Sequence, residues 1–143
     1  MKHPDTGEKA TMSESIDRTK VARAFAQHRF DEALPHLASD VSWTILGYMV
    51  LEGADAVART CRDTAGSLRD TSAVWERCRT VTEDETVVVD VLGRYAGADG
   101  VTAVASCHIY EFAGSTITSI TSYGVEVDPA SAGAPADAGR RGA

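Results

Sequence analysis

The first third of the chain spaces its apolar residues with the period of an α-helix. Thr11 and Glu14 have the spacing of a capping box, so a first helix is predicted from there to about His28. A second, short helix is predicted over residues 30–37, where apolar residues recur at i, i+3, i+4 and i+7. The residues that these two helices are predicted to bury are Ile16, Val21, Ala24, Phe25, Phe30, Ala33, Leu34 and Leu37.

The next segment changes from a helical period to the period of a strand. Residues 40–45 alternate with period two, which predicts a short strand. Its buried side is predicted to carry Val41, Trp43 and Ile45. Residues 47–53 are predicted to be a connection, although they are unusually apolar for a loop. A third helix is predicted over residues 54–65, and Gly66 suits the position after its end. Its predicted buried stripe is Ala54, Val57, Ala58, Cys61 and Ala65.

From residue 72 onwards the pattern is strand after strand. The predicted strands occupy residues 72–82 and 86–95 and the two arms of a hairpin over 100–127. Short turns at 83–85, 97–100 and 113–115 separate them, so consecutive strands are antiparallel neighbours. The order of elements predicts an α+β domain in which three N-terminal helices cover one face of a strongly curved, mostly antiparallel sheet.

The domain is predicted to occupy residues 11–128. Residues 1–10 are polar, and residues 129–143 have low complexity with many alanines and glycines. We expect both ends to be disordered, because neither holds enough apolar surface to pack.

One face of the strand that begins at Gly100 has an unusual composition. Side chains alternate along a strand, so one face carries Thr102, Val104, Ser106, His108, Tyr110 and Phe112. Apolar groups mixed with a histidine and hydroxyls are typical of a cavity wall. His108 is therefore the first catalytic candidate, since an imidazole can accept or donate a proton near neutral pH. The alternative is a buried neutral histidine with a structural role.

Asp90 and Tyr48 are the other two catalytic candidates. Asp90 lies in an apolar strand, and burial would raise the pKa of its carboxyl and suit it to acid–base work. The alternation does not decide which face Asp90 occupies, and on a solvent-facing side Arg94 would neutralise it. Tyr48 lies in the apolar connection that is predicted to rim the cavity, where its hydroxyl could donate a hydrogen bond.

Five residues are predicted to bind substrate. Trp43, Trp75 and Tyr110 would give an aromatic lining for a flat ligand, or else fill the core. Ser106 and Ser122 flank His108 by alternation and by hairpin pairing, so they are expected to orient it or a substrate. His28 and His36, near helix ends, are predicted to lie on the surface.

Composition excludes several classes of partner. The chain has 143 residues and a net charge of −7, without clusters of lysine and arginine, which argues against nucleic acid or an anionic membrane as a partner. No apolar run approaches the roughly 20 residues of a membrane span, and the N-terminus lacks the apolar region of a secretory signal. Three widely spaced cysteines predict free thiols in a reducing cytoplasm, with no bound metal and no cofactor.

Three stretches of the chain resemble the NTF2-like superfamily and, within it, the SnoaL-like and ketosteroid-isomerase-like proteins. They are residues 29–43, 51–58 and 108–123, and the resemblance covers about residues 13–127. The resemblance implies a cone-shaped cavity between the curved sheet and the helices. It also implies a homodimer that packs through the outer face of the sheet, and a small apolar substrate or ligand.

The catalytic residues of two related enzyme classes can be compared with this sequence position by position. On the ketosteroid-isomerase pattern, His108 falls where those enzymes carry the protonated aspartate of the oxyanion hole. Ile45 and Val21 fall near their general base and their tyrosine, so that activity is not carried over. On the pattern of the limonene epoxide hydrolases, Asp90 and Arg94 are available, but the last acid falls near Ser122.

Three functional hypotheses remain open at this point. The first is a cofactor-independent SnoaL-like isomerase or cyclase that acts on a polyketide-like or terpenoid-like molecule, with His108 as acid or base. The second is a non-catalytic module that binds a small molecule or forms a dimer. The third is an epoxide hydrolase that uses Asp90, Arg94 and a positioned water.

Overall fold

The structure, a computed structural model, describes residues 18–132 and contains helices and strands in the predicted order. Helix α1 occupies residues 18–26, and the helical elements that follow are α2 (Phe30–Ala33), a 3-10 turn (Leu34–His36), α3 (Ala54–Ser67) and the single turn α4 (Pro129–Ala132). The strands are β1 (Leu37–Ile45), β2 (Met49–Glu52), β3 (Ser72–Glu83), β4 (Thr86–Gly97), β5 (Gly100–Ala113) and β6 (Thr116–Val127). The predicted capping box and Ile16 lie outside the described residues.

All six strands form one curved sheet in the order β2-β1-β6-β5-β4-β3. Strands β3 to β6 form the predicted antiparallel meander, and β1 joins β6 in parallel, with Trp43 opposite Ile120. Helices α1 to α3 cover one face, which is concave, and much of the convex face is exposed, although Leu92 and Ala103 are buried on it. The predicted α+β architecture is therefore confirmed.

Strand β2 corrects the prediction that residues 47–53 are only a connection. Met49–Glu52 pair antiparallel with β1, and Leu51 lies opposite Trp43. The chain reverses at Gly47, whose φ of 87° lies in a region that glycine adopts at low cost. Leu51 packs against the core, which accounts for the apolar character of this segment.

Helix α3 also differs from its prediction near its end. Gly66 lies inside the last turn, and the cap falls at Leu68. Val57 and Cys61 are fully buried, whereas Ala65 is exposed and lines an open cleft together with His28. The buried stripe is narrower than predicted, because the last turn of the helix borders that cleft.

The core fills the closed end of the cone, between the helices and the concave face. Phe25 of α1 contacts Phe30, Trp43 and Tyr110 edge to face, with ring centroids 5.4, 5.1 and 5.6 Å apart. Edge-to-face contacts of this kind stabilise a core beyond the area that they bury. The predicted burial of Val21, Ala24 and Phe25 is confirmed.

Candidate functional site

His108 lies in the middle of β5 on the concave face. Its cross-strand neighbours are Ser122 on β6 and the fully buried Val89 on β4. Ser106 precedes it by two residues and shares its face. The antiparallel register therefore gathers three polar side chains in a wall that is otherwise apolar.

Both ring nitrogens of His108 are hydrogen-bonded to serine hydroxyls. Nδ1 lies 2.8 Å from Ser122 Oγ, and Nε2 lies 3.1 Å from Ser106 Oγ. Trp43 Nε1 donates to the same Ser122 Oγ over 2.9 Å. Ser122 is 5% exposed, so the connection between β1, β6 and β5 is shielded from water. We call these four residues the relay.

The donor and acceptor roles in the relay follow from the indole. An indole N–H can only donate, so Ser122 Oγ accepts from Trp43. The Ser122 hydroxyl has one proton to donate, and within residues 18–132 the acceptor at hydrogen-bonding distance is His108 Nδ1. The imidazole proton is therefore assigned to Nε2, which donates to Ser106 Oγ. This assignment leaves the Ser106 hydroxyl proton available to a group inside the cone.

His108 is neutral in this environment. Burial, together with the charge of nearby His28, lowers the pKa of His108 from 6.5 to about 4. An imidazolium at this position is therefore scarce near pH 7. The relay can offer hydrogen bonds from neutral groups, and its histidine is a weak base.

A second histidine, His28, lies after the end of α1, close enough to His108 for its charge to lower the pKa of His108. Its ring stacks on Phe30 at 5.3 Å and on Tyr95 at 6.1 Å, with an interplanar angle of 23° in each case. Trp75 meets it edge-on at 5.3 Å. His28 is half-buried and borders an open cleft, so it is less exposed than predicted, and burial lowers its pKa. We call Phe30, Trp75 and Tyr95 the ring cage.

The backbone at the end of α1 brings His28 to this position. His28 has a φ of 63°, its N–H donates to Phe25 O over 3.1 Å, and the Arg29 N–H donates to Ala24 O over 2.7 Å. These two bonds form a Schellman turn, which folds the residue after the helix back towards the cone. The sequence contains a signal for this turn. Residues 27–29 contain neither glycine nor asparagine, so His28 is a candidate for the position with positive φ, where histidine is enriched.

Gly93 places two members of the ring cage. It lies opposite Trp75 in the β3–β4 pair, and a β-carbon there would meet Trp75 Cζ3 at 2.7 Å and the Tyr95 hydroxyl oxygen at 3.1 Å. Glycine therefore allows the indole to lie across β4. Tyr95 also lines a cleft of about 350 Å³, together with Thr102 and the turn between β4 and β5.

Tyr110, one of the predicted substrate-binding residues, is fully buried next to the relay. Its ring centroid lies 6.3 Å from that of His108, and among the described residues its hydroxyl has no hydrogen-bond partner. Burial and the nearby cysteines raise the pKa of Tyr110 well above its ordinary value. The phenol thus stays protonated, and its hydroxyl is a buried donor that no described residue satisfies.

Asp90 does not share the face of His108. It lies on the convex face, where Arg77 Nε at 2.9 Å and Arg79 Nη2 at 2.7 Å hold its carboxylate. Partial burial opposes ionisation, but the hydrogen bonds from these arginines outweigh it, and the pKa of Asp90 is lowered. The structure thus contradicts a carboxyl of raised pKa in the cavity. Arg94 pairs with Glu76 at 2.6 Å and not with Asp90.

Tyr48 also lies away from the relay. Its side chain is 84% exposed in the turn between β1 and β2. The expectation that it rims the cavity fails because the pairing of β2 with β1 directs this turn outwards. Of the eight predicted site residues, the concave side carries His108, Ser106, Ser122, Trp43, Trp75 and Tyr110.

Metal and membrane features are lacking in the described part of the chain. Residues 18–132 hold no group of three metal-ligating side chains, and their three cysteines are free. None of the helices in this range has the length and the hydropathy that a membrane crossing requires.

Comparisons with known proteins place this geometry in a family. The sequence profile described as the SnoaL-like domain matches residues 19–120. A search of curated proteins found no match. An NTF2-like protein of unknown function from Cytophaga hutchinsonii superposes with a TM-score of 0.69 at 23% identity, over 77% of this chain and 97% of that one.

Two further solved structures share the fold at lower identity. An LEH-like epoxide hydrolase from M. tuberculosis has a TM-score of 0.61 at 16% identity, over 77% of this chain and 84% of its own. A proposed polyketide cyclase from Xanthomonas campestris has a TM-score of 0.60 at 15% identity, over 80% and 90%. At these identities the structures show a common fold and not a common activity. Together with the profile match, they show that the chain belongs to the SnoaL-like domain family of the NTF2-like superfamily.

Proposed function

We propose that this protein is a cofactor-independent isomerase or cyclase that acts on a mostly apolar small molecule. The observation that carries the proposal is the relay, which ends in a Ser106 hydroxyl on the concave face. Buried polar side chains cost stability even when they are paired, and valine would fill the same wall. A histidine held at both nitrogens in such a wall is best explained by the chemistry that it supports.

The relay suits a reaction in which negative charge develops on a substrate oxygen. When a proton leaves the carbon next to a carbonyl, the electron pair moves onto that oxygen. The Ser106 hydroxyl donates to the oxygen, and Nε2–H of His108 stabilises the polarised hydroxyl. Donors that are already in place for such an oxyanion contribute about 100- to 1000-fold in rate.

The surroundings of the relay favour a substrate with flat, apolar rings. Phe30, Trp75 and Tyr95 surround His28, and Tyr110 and Val89 lie next to His108. Polyketide-like or terpenoid-like molecules are the class that we propose. The epoxide-hydrolase alternative needs a carboxylate inside the cone, and Asp90 lies on the other face. The alternative of a binding module would hold a ligand at the relay without turnover.

Exchange of carbon-bound hydrogen for deuterium tests the proposal without knowledge of the substrate. The protein is incubated in D₂O with apolar ketones such as β-tetralone and a β,γ-unsaturated cyclic ketone, and NMR measures loss of the proton next to the carbonyl. We expect exchange above the buffer rate and a fall of about 100-fold in Ser106→Ala. Ser119→Ala, which lies on β6 opposite the exposed Glu111, is the matched control. Binding of the ketones without accelerated exchange would leave the binding module as the better hypothesis.

We also propose that the protein forms a homodimer through the convex face. That face exposes apolar side chains, and those of Val74, Val81, Tyr123 and Val125 are between 47% and 65% exposed. The same face carries both charge signs, at Asp90 with its two arginines and at the Arg94–Glu76 pair, as a self-complementary interface requires. Light scattering after gel filtration should give twice the chain mass, and Val125→Lys should give the monomer. A monomeric wild type would refute this proposal.

A further inference from the structure

We propose that His28 is a second catalytic residue, the base that accepts the substrate proton while the relay holds the substrate oxygen. The inference rests on the proposed isomerase or cyclase function and assigns its base. The relay leaves that role open, because both nitrogens of His108 are occupied by hydroxyls and its pKa is about 4.

The ring nitrogens of His28 are free to act. Within the described residues, no hydrogen bond or ion pair engages them, although three aromatic rings surround the imidazole. His28 is also close enough to the relay for its charge to lower the pKa of His108. A polar ring with unused nitrogens, fixed by packing beside a donor network, has the geometry of a positioned base.

The backbone conformation of His28 also supports a catalytic role. The position after α1 needs a positive φ, and glycine or asparagine satisfies that need more readily than histidine. The chain holds histidine there, at a φ of 63°, and so accepts some strain to present an imidazole to the cone. Non-glycine residues held with positive φ cluster at functional sites, where the surrounding structure maintains them.

The groups around His28 suit a base that is neutral before the reaction and charged during it. The ionisable groups that face it are Tyr95 on β4, His108 on β5 and, along the cleft beside α2, Arg29, Asp31 and Glu32. Burial lowers the pKa of His28 and keeps it neutral at pH 7. Once it has accepted a proton, the cation lies between the faces of Phe30 and Tyr95, which stabilise it by cation–π interaction.

The proton balance closes without a co-reactant. The C–H bond next to the carbonyl breaks, its proton goes to His28, and the electron pair forms an enolate whose oxygen accepts from Ser106. In isomerisation, His28 returns the proton to a different carbon of the conjugated enolate. In cyclisation, the enolate carbon forms a C–C bond to a second carbonyl, and His28 protonates the resulting alkoxide.

Two substitutions of His28 test the base role in the deuterium-exchange assay with β-tetralone. His28→Asn removes the imidazole and tolerates positive φ, and His28→Gly relieves the backbone as well, so both variants are expected to keep the fold. Circular dichroism and thermal unfolding verify this. We expect a fall in exchange of about 100-fold in each, with ketone affinity within about threefold, as for the loss of one general base. His36→Asn, outside the ring cage, is the control.

Chemical rescue separates catalysis from structure. Added imidazole should restore exchange in His28→Gly and leave Ser106→Ala unchanged. The acid limb of the wild-type pH profile below pH 6.5 should also disappear in His28→Asn. Exchange within threefold of wild type in His28→Asn, with a large loss in Ser106→Ala, would overturn the role of His28 and leave the proposed function intact. Failure of the wild type to exchange any bound ketone would remove the proposed function itself.

Discussion

Acid should destabilise this protein through His108. In the unfolded chain the imidazole has its ordinary pKa of 6.5, and in the folded chain its pKa is about 4. Between these values the unfolded state binds a proton that the folded state does not bind. The free energy of unfolding therefore falls as the pH falls from 6.5 to 4 and is unaffected by this residue above that window. The two pKa values, at about 1.4 kcal/mol per unit, make the loss about 3 kcal/mol.

A loss of that size is measurable against the stability of an ordinary domain, which is about 5–15 kcal/mol. Urea unfolding followed by tryptophan fluorescence is a direct assay, because Trp43 and Trp75 both report on the interior of the cone. The experiment compares wild type with His108→Asn at several pH values from 7.5 to 4. The difference between the two curves removes the contributions of the carboxylates, which both proteins share. We expect the wild type to lose about 3 kcal/mol more than the variant.

A control variant and a contradicting result test whether burial keeps His108 neutral. His36→Asn, which keeps His108, should reproduce the wild-type dependence on pH. If His108→Asn instead runs parallel to wild type within about 0.5 kcal/mol, the imidazole is not held neutral by burial, and the assigned protons of the relay are wrong. NMR of the His108 ring protons gives an independent reading, since they should show no titration near pH 6.5.

Three further substitutions, with Gly66→Ala as a control, test the geometry around the site. Gly93→Ala should lower the free energy of unfolding by about 1–3 kcal/mol, measured by urea titration, and shift the emission of Trp75. Gly66→Ala should raise the free energy of unfolding by about 0.5–1 kcal/mol in the same titration, because a β-carbon there lies inside a helix and meets only the end of the Arg69 side chain, at 3.9 Å. Ser122→Ala should cost about 2 kcal/mol by urea unfolding, because it leaves two buried ring nitrogens without a partner. Asp90→Asn should leave deuterium exchange unchanged and cost less than about 1 kcal/mol, as expected for a half-exposed ion pair; a large loss of exchange would return Asp90 to the site.

The relay shows which contacts a period-two pattern can predict and which it cannot. Alternation put Ser106 and His108 on one face, and hairpin pairing put Ser122 beside them, so the local geometry of three members was predictable. The fourth contact was not, because Trp43 is 79 residues from Ser122 and reaches it through the parallel β1–β6 pairing. That contact is the one that assigns the protons.

Asp90 and β2 were mispredicted for different physical reasons. Val88 and Leu92 share the side of Asp90, so both faces of β4 are apolar, and only the tertiary fold decides that Val89 lies inside. A turn at Gly47 with an apolar segment after it is compatible with a loop or with a hairpin. Pairing with β1 across a buried Trp43 favours the hairpin, and local propensity contains no information about that partner.

The two histidines are best understood together, because the charge of one changes the proton affinity of the other. A positive charge on His28 disfavours a second charge on His108, so the pair carries at most one proton in excess under ordinary conditions. His108 is the more deeply buried and is fully hydrogen-bonded, so the excess proton belongs on His28, between two aromatic faces. The same division keeps the Ser106 hydroxyl a neutral donor throughout a catalytic cycle. Neutralising His28 by substitution should therefore raise the pKa of His108, a shift that NMR titration of His28→Asn measures directly.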